Sequence, residues 1–507
     1  MAGFDVLVIG AGSAGSVVAA RLSEDASLSV GLVEAGAMPS DPDIASPRQW
    51  PFLPGRAFDW AYRTIPQPGT AGRSHDWPRG RIVGGSSCLH AMAHVRGHPD
   101  DFEPWAAAGG PRWSYQALLP GFRRSERFSG GASAMHGDAG PLDVLLPGNE
   151  IHPLVRDYMD AGVSIGAPRL GDHNAGPLTG VAPNQLTIRD GRRVSVADAY
   201  LVPALGRPNL TLLTDVLVHD LVMQAGRACG ARITRDGVQE ILTADRIVLC
   251  AGTVASPLLL MRSGIGDPDT LRGAGIACRH ELPEVGRNLH DHLLAAGNVY
   301  RARRPVAPSR LQHSESLMYL HSDDPCRAEG SPDVVLACVV LPVVTEAFAR
   351  PEVGRAYTIM CGVTHPTSRG SIRPGGPSVA DVPVIDPAYL STDRDRRSFR
   401  ASLRLARAVG RAAPLCGWNG GEILPGPGVE ADADLDAFLA RAAMTHHHPV
   451  GTCSLGPVVD GDLRVRGIDG LFVVDASVIP SITAGPVNAA VVAIAETWAA
   501  ATDQPGQ

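Results

Sequence analysis

The sequence predicts an α/β protein (α+β over the whole chain), with a Rossmann-like dinucleotide-binding domain and a separate sheet-and-helix domain. Three observations predict it. The apolar run Asp5-Val-Leu-Val-Ile9 leads straight into the glycine turn Gly10-Ala-Gly12-Ser-Ala-Gly15. Residues Ala14, Val18 and Leu22 then recur at helical spacing, and a second short run, Ser29 to Val33, ends on Glu34. The chain has 507 residues, more than one hydrophobic core ordinarily serves.

Taken in order, the first run has no polar alternation, which suits a parallel strand covered on both faces. Strand, glycine turn, helix and strand make a βαβ unit. In its turn Gly10 allows the tight bend, Gly12 admits a pyrophosphate to the backbone, and Gly15 lets helix and strand pack closely. The helix start supplies free N–H groups and partial positive charge for phosphate. Glu34 lies nineteen residues beyond Gly15, where a carboxylate can accept both ribose hydroxyls and repels a 2′-phosphate. The turn alone does not separate NAD from FAD.

Residues 41–78 are rich in Pro, Gly and Trp without a sustained period and read as an extended cover or lid. Arg246–Cys250 is a further buried-type strand, followed by helix through Leu258–Met261. Val334–Val340 and Tyr357–Val363 read as strands. An arginine-rich helix carries Phe399, Leu403 and Ala406 as its apolar stripe, with a solvated arginine face. A strand at Leu471–Val474 and a helix with Ala490, Ile494 and Trp498 on one face close the chain.

Composition narrows the function. All 45 basic residues are arginine, against 52 acidic ones, for a net charge of −7. Nucleic acid is excluded as a main partner, because phosphate binding needs a basic surface. The absence of lysine removes Schiff-base catalysis and a Walker-type loop. Nine cysteines, odd in number and without a CxxC pair, point to reduced thiols and a cytoplasmic setting, with no zinc site. Asp5 interrupts any early signal-like stretch. The uncharged run from Ala476 to Ala495 holds Pro480, Gly485 and Pro486 and reads as buried core, so no membrane association is expected.

Further segments identify a family. Pro78-Arg-Gly-Arg-Ile-Val-Gly-Gly-Ser-Ser-Cys-Leu-His90-Ala-Met92, running on to Arg96-Gly, resembles the first signature of the glucose–methanol–choline (GMC) oxidoreductases. Gly252-Thr-Val-Ala-Ser-Pro257 looks like their second. Val285-Gly-Arg-Asn-Leu-His-Asp291-His, His448-Pro-Val-Gly-Thr452 and Asp475 with the Gly485–Asn488 turn match further family segments. The resemblance implies FAD, an alcohol substrate and a GMC-type fold. Residues 1–150, 200–298 and 449–507 would form the FAD domain, and residues 151–199 with 299–448 the substrate domain. It implies cofactor contacts from Gly10, Gly12, Ser13, Ala14, Gly15, Glu34, Ala35, Arg81, Val83, Gly85, Ser86, His90, Ala91, Met92, Val218, Ala251, Asp475, Ala476, Pro486 and Val487. Arg81 would anchor phosphate or its own loop. Asp475 is read as a cofactor contact, with a turn cap as the alternative. Leu89 stands where some members carry the histidine that bonds FAD covalently, so the FAD is expected to be non-covalent.

The run His446-His447-His448-Pro449 is the catalytic candidate. If it is extended, His446 and His448 share a face. A metal site would need a third convergent ligand, which the run lacks. His448 matches the family's catalytic histidine, and a neutral imidazole there takes a hydroxyl proton as hydride leaves the carbinol carbon. The family's second catalytic residue falls at Pro486, whose side chain neither donates nor accepts, so His446 is the expected polar partner. His290 and His292 are expected to brace their loop. The His-x-His and proline pairing is similar to members of the family that oxidise vitamin B6. The implied reaction is pyridoxine to pyridoxal, with dioxygen as acceptor giving hydrogen peroxide. A choline-, aryl- or aliphatic-alcohol dehydrogenase using another electron acceptor is the alternative, and a flavin-containing hydroxynitrile lyase a third reading. The protein is expected to be a monomer or homodimer.

Overall fold

The computed structural model describes residues 3–325, 327 and 329–502. Two sheets organise it. The first has seven strands in the order Leu210–Leu213, Val30–Val33, Gly3–Ile9, Val238–Leu249, Arg227–Arg235, Leu217–Gln224, with Leu471–Val473 beside the end of Val238–Leu249. Gly3–Ile9 runs parallel to both its neighbours, with Val6 opposite Val30 on one side and Arg246 on the other. Val6, Leu7 and Val8 are wholly buried, which is why that segment carries no alternation. The predicted strand at Arg246–Cys250 is, up to Leu249, the end of the longer strand Val238–Leu249, which pairs antiparallel with Arg227–Arg235 in its first half and parallel with Gly3–Ile9 in its second.

The second sheet has eight strands in the order Asn419–Leu424, Val299–Ala302, Ala356–Val363, Val334–Val339, Ser316–Leu320, Gly180–Pro183. Leu293–Ala295 pairs with the end of Ala356–Val363 and also with Ala443–Thr445. It belongs to this sheet, although the sequence reading assigned residues up to 298 to the first domain. The helix Asp393–Arg411 packs on Ala356–Val363 and buries Phe399, Leu403 and Ala406. Two of its arginines pair with buried or half-buried carboxylates of neighbouring elements, Arg400 with Asp436 and Arg407 with Glu422.

The closing helix, Asn488–Thr502, is buried along Ala490, Ile494 and Trp498. It packs against Ser13–Leu22. No helix among the described residues is long and apolar enough to cross a membrane. Residues 41–78 hold only short 3-10 turns and the two-residue pair Tyr62–Arg63 with Asp76–Trp77. Eight cysteines are free thiols, and Cys326 lies outside the described residues.

Candidate active site

The glycine turn is built as its spacing requires. Gly10 has φ +101°, and a Cβ on Gly15 would lie 1.8 Å from the Gly10 carbonyl oxygen. The second glycine segment docks directly on this turn. Gly84 N–H donates to the Ala11 carbonyl at 2.7 Å, and a Cβ on Gly85 would come 2.7 Å from the Gly12 Cα. Ser13 Oγ donates to Asn488 Oδ1 at 2.7 Å, so the N-termini of the first and closing helices meet at the same point. A cleft walled by glycine backbone and two helix starts fits a flat, anionic dinucleotide.

Glu34 is buried and accepts from Ala11 N–H at 2.9 Å and Gly36 N–H at 3.0 Å. Burial pushes its pKa up to about 7, against those backbone donors. Ala35 accepts from Arg81 Nε at 3.4 Å, and the Arg81 guanidinium lies over the Trp60 ring. Arg81 thus anchors its own loop, one of the two roles its position allowed. Val83 N–H bonds to the Ala37 carbonyl, and Val216 N–H to the Glu34 carbonyl, which brings the approach to Val218 beside Glu34. Ser86 Oγ accepts from Gly80 N–H at 3.2 Å. His90 Nδ1 accepts from Met92 N–H at 3.0 Å, and Arg193 donates to the His90 carbonyl at 2.6 Å. Ala91 is partly exposed beside them.

Asp475 spends its side chain inside the protein. It accepts from Gly252 N–H, directly after Ala251, at 2.8 Å and from Ser477 N–H at 2.8 Å, with the Ser256 and Ser477 hydroxyls completing the set. The carboxylate is a turn cap joining two elements. With the Asp475 carbonyl taken by Val478 N–H and the Ala476 carbonyl by Gly451 and Ile479 N–H, the backbone N–H groups of Asp475 and Ala476 are the part of this segment left to face a cofactor. Pro486 and Val487 are buried at the start of the closing helix.

The histidine run is not extended. The strand ends at Thr445, His447 N–H folds back to Thr445 Oγ1 at 2.8 Å, and His447 adopts φ +64°. His446 and His448 still converge, with ring centroids 4.3 Å apart. Because the register sets Leu293 opposite Thr445 and His446 N–H on the His292 carbonyl, a third imidazole joins them. His292 Nδ1 lies 3.0 Å from His448 Nδ1, and His292 Nε2 lies 2.8 Å from the Thr364 carbonyl oxygen. His290 does brace its loop, its Nε2 accepting from Ile482 N–H at 3.1 Å. His292 also ties its loop to the Thr364 carbonyl, and beyond that expectation it reaches His448. Asp291, also unassigned from sequence, accepts from His448 N–H at 2.7 Å and Thr445 Oγ1 at 2.6 Å, and from the Tyr389 hydroxyl. It holds the backbone that presents His446 and His448.

Nitrogens of His292, His446 and His448 lie within 4.8 Å of one another. The third convergent imidazole that the histidine run lacks is therefore supplied by another segment of the fold. Two features oppose a cation there. The facing nitrogens of His292 and His448 are already hydrogen-bonded to each other. The Arg79 guanidinium, donating to the His447 carbonyl at 3.0 Å, adds positive charge. Burial first, then His446, His292, His447 and Arg79, hold His448 well below the ordinary histidine range. Burial does the same to His446 and His292. All three are neutral.

Contacts join the histidines to the cleft. Arg79 bonds the His447 carbonyl, and its neighbour Gly80 abuts Gly85, where an added Cβ would lie 2.3 Å from the carbonyl carbon. Thr253 Oγ1 donates to the Pro449 carbonyl at 2.7 Å, one residue past Gly252. Arg79 Nε and Nη2 and His446 Nδ1 are buried without a protein partner, as expected of a site completed by a bound cofactor and substrate. No chain distance foretells these meetings. The only sequence signal was that Asp291-His292 lies within a family-like segment.

The family model for GMC oxidoreductases matches residues 4–294 in its N-terminal part and 366–495 in its C-terminal part. The chain is 50% identical over 504 residues to pyridoxine 4-oxidase of Microbacterium luteolum, covering 98% of this chain and 99% of that protein. It is 36% identical to mitochondrial choline dehydrogenase of Mus musculus, covering 97% of this chain and 88% of that one. The crystal structure of pyridoxine 4-oxidase from Mesorbium loti superposes with a TM-score of 0.97 at 50% identity, over 99% of this chain and 100% of that one. The match along almost the whole length, on a fold whose glycine cleft and histidine cluster meet, establishes that the chain belongs to the GMC oxidoreductases, FAD-binding enzymes that act on alcohol CH–OH donors.

Proposed function

We propose that the protein oxidises the hydroxymethyl group of pyridoxine to the aldehyde pyridoxal, with His448 as general base and His446 as its polar partner. One observation carries this reading. The imidazoles of His446 and His448 stand 4.3 Å apart between centroids beside the glycine cleft, on a chain 50% identical to a pyridoxine 4-oxidase from end to end.

Bound non-covalently, FAD supplies the hydride acceptor. The chain does the rest. The Gly10–Gly15 turn, Glu34 and the Gly84–Ser86 segment hold the cofactor, and the helix starts at Ser13 and Asn488 offset its negative charge. A neutral His448 takes the hydroxyl proton as the carbinol C–H bond breaks. The unpartnered Nδ1 of His446 matches a polar substituent on a flat heteroaromatic ring, the role that Pro486 cannot fill. Burial keeps the histidines from charging before substrate arrives, and at His448 the neighbouring imidazoles and then Arg79 add to it. With dioxygen as acceptor the balance is alcohol plus dioxygen giving aldehyde plus hydrogen peroxide.

Anaerobic mixing with pyridoxine tests this. Bleaching of the flavin, and equimolar peroxide once air is admitted, are the expected results. Bleaching by choline or simple alcohols but not by pyridoxine would overturn the substrate. Reoxidation by a dye but not by air would overturn the acceptor.

A further inference from the structure

The route by which His448 comes to have one free basic nitrogen can be followed atom by atom. The Thr364 carbonyl has lone pairs only, so His292 Nε2, 2.8 Å away, carries the hydrogen between them. A neutral imidazole has a single N–H. His292 Nδ1 is therefore bare. The 3.0 Å contact between His292 Nδ1 and His448 Nδ1 still needs one hydrogen, and only His448 can supply it. With its hydrogen on Nδ1, His448 has Nε2 left as a lone pair.

We propose that His292 is the positioning residue that locks His448 in the Nδ1–H tautomer, so that Nε2 is the atom that takes the substrate's proton. The lock rests on the reading of His448 as base. It also works in the second half of the step. Once Nε2 is protonated, the Nδ1–H of a now positive ring still points at the bare His292 Nδ1, and a charge-assisted hydrogen bond is stronger than a neutral one. A protonated His292 would reverse everything: it would donate to His448 Nδ1 and force the hydrogen onto Nε2. Burial, and then the neighbouring His446 and His365, hold His292 down at about 3 and so neutral, with the bond to the Thr364 carbonyl and then Asp101 pulling the other way. Facing His448 itself are His292, His446, His447 and Arg79, and its backbone N–H bonds Asp291.

Three substitutions separate the lock from mere packing. Asparagine at 292 can place its amide oxygen where Nδ1 was and accept from His448. Glutamine reaches the Nε2 place instead and serves Thr364 alone. Leucine serves neither. The inference expects His292→Asn to stay within about fivefold of the native rate of flavin reduction, whereas His292→Gln and His292→Leu lose roughly 10- to 100-fold, with KM moving far less. It also expects the acid limb of the rate–pH profile to shift to lower pH in the last two, since His448 loses the acceptor that stabilises its charged form. Nitrogen NMR of histidine-labelled holoenzyme without substrate, assigned by the signals lost in His448→Gln, should show His448 Nε2 unprotonated in the native and His292→Asn proteins. Equal losses in the asparagine and glutamine variants with an unmoved acid limb, or a protonated Nε2 in the native protein, would overturn the lock. Because the NMR readout involves no substrate, it stands even if the substrate or the base has been misassigned.

Discussion

At the scale of single residues, the site depends on neutrality. As the proposed base, His448 must be uncharged, and burial, then the imidazoles of His446, His292 and His447, and then Arg79 keep it so. His448→Ala is expected to retain bound FAD, since its side chain takes no part in the glycine cleft. It should lose roughly 10²- to 10⁴-fold in the rate of flavin reduction, the ordinary worth of a positioned base. Stopped-flow reduction under anaerobic conditions measures it, and a rate within tenfold of the native value would remove His448 from the chemistry. The role of His448 could be inferred from its Pro-Val-Gly-Thr context. Those of Asp291 and His292 could not, because what matters in them is a register between strands about 150 residues apart in sequence.

At the scale of elements, the first helix is fixed to the sheet by the absence of a side chain. Gly15→Ala would drive a methyl group to 1.8 Å from the Gly10 carbonyl oxygen. The helix must then lift from the turn whose backbone lines the cofactor cleft. The expected outcome is protein purified without its yellow colour and destabilised by about 1–3 kcal/mol, as for overpacked cores. Visible absorbance and a thermal midpoint report the two effects, and a variant purified with a full complement of FAD would contradict the close packing. The βαβ unit was legible because each of its parts follows from local spacing. The histidine run would put His446 and His448 on one face if extended, and it is instead turned at His447. The hydrogen bond from His447 N–H to Thr445 Oγ1 and the Asp291 carboxylate beneath it reshape the segment, and a propensity argument does not contain either.

Across the whole molecule, a buried ionic network ties distant segments together. Glu126 and Arg96, both fully buried, pair at 2.7 Å. His136 sits between Glu126 at 2.9 Å and Asp172 at 2.8 Å. With a carboxylate on each side, both His136 nitrogens donate and the ring is positive. Burial opposes charge on Glu126, but His136, His94 and Arg96 outweigh it and lower its pKa. Burial likewise opposes charge on His136, yet Asp172 and Glu126 raise its pKa. The depressed carboxylate contributes stability above its ordinary value of 4.5, which is lost as pH falls through its lower folded value. The raised histidine contributes fully below its ordinary value of 6.5 and loses that contribution as pH rises through its higher folded value. The network is therefore at full strength between those two values. Glu126→Gln leaves Arg96 and His136 without their shared partner and should cost about 3–5 kcal/mol. It should also flatten the dependence of the thermal midpoint on pH in both directions. An unchanged midpoint and profile would show that the network contributes nothing.

By itself the sequence determined the dinucleotide turn, the helix stripes, the family and the histidine proposed as the base. Each of these is written in residues close together along the chain, where spacing and backbone sterics act directly. Only the tertiary structure decided which nitrogen of His448 is free, what clamps its backbone, and that Asp475 is a cap. Those depend on hydrogen bonds between segments far apart in sequence, and a partner acquires its meaning only once the fold has set its distance.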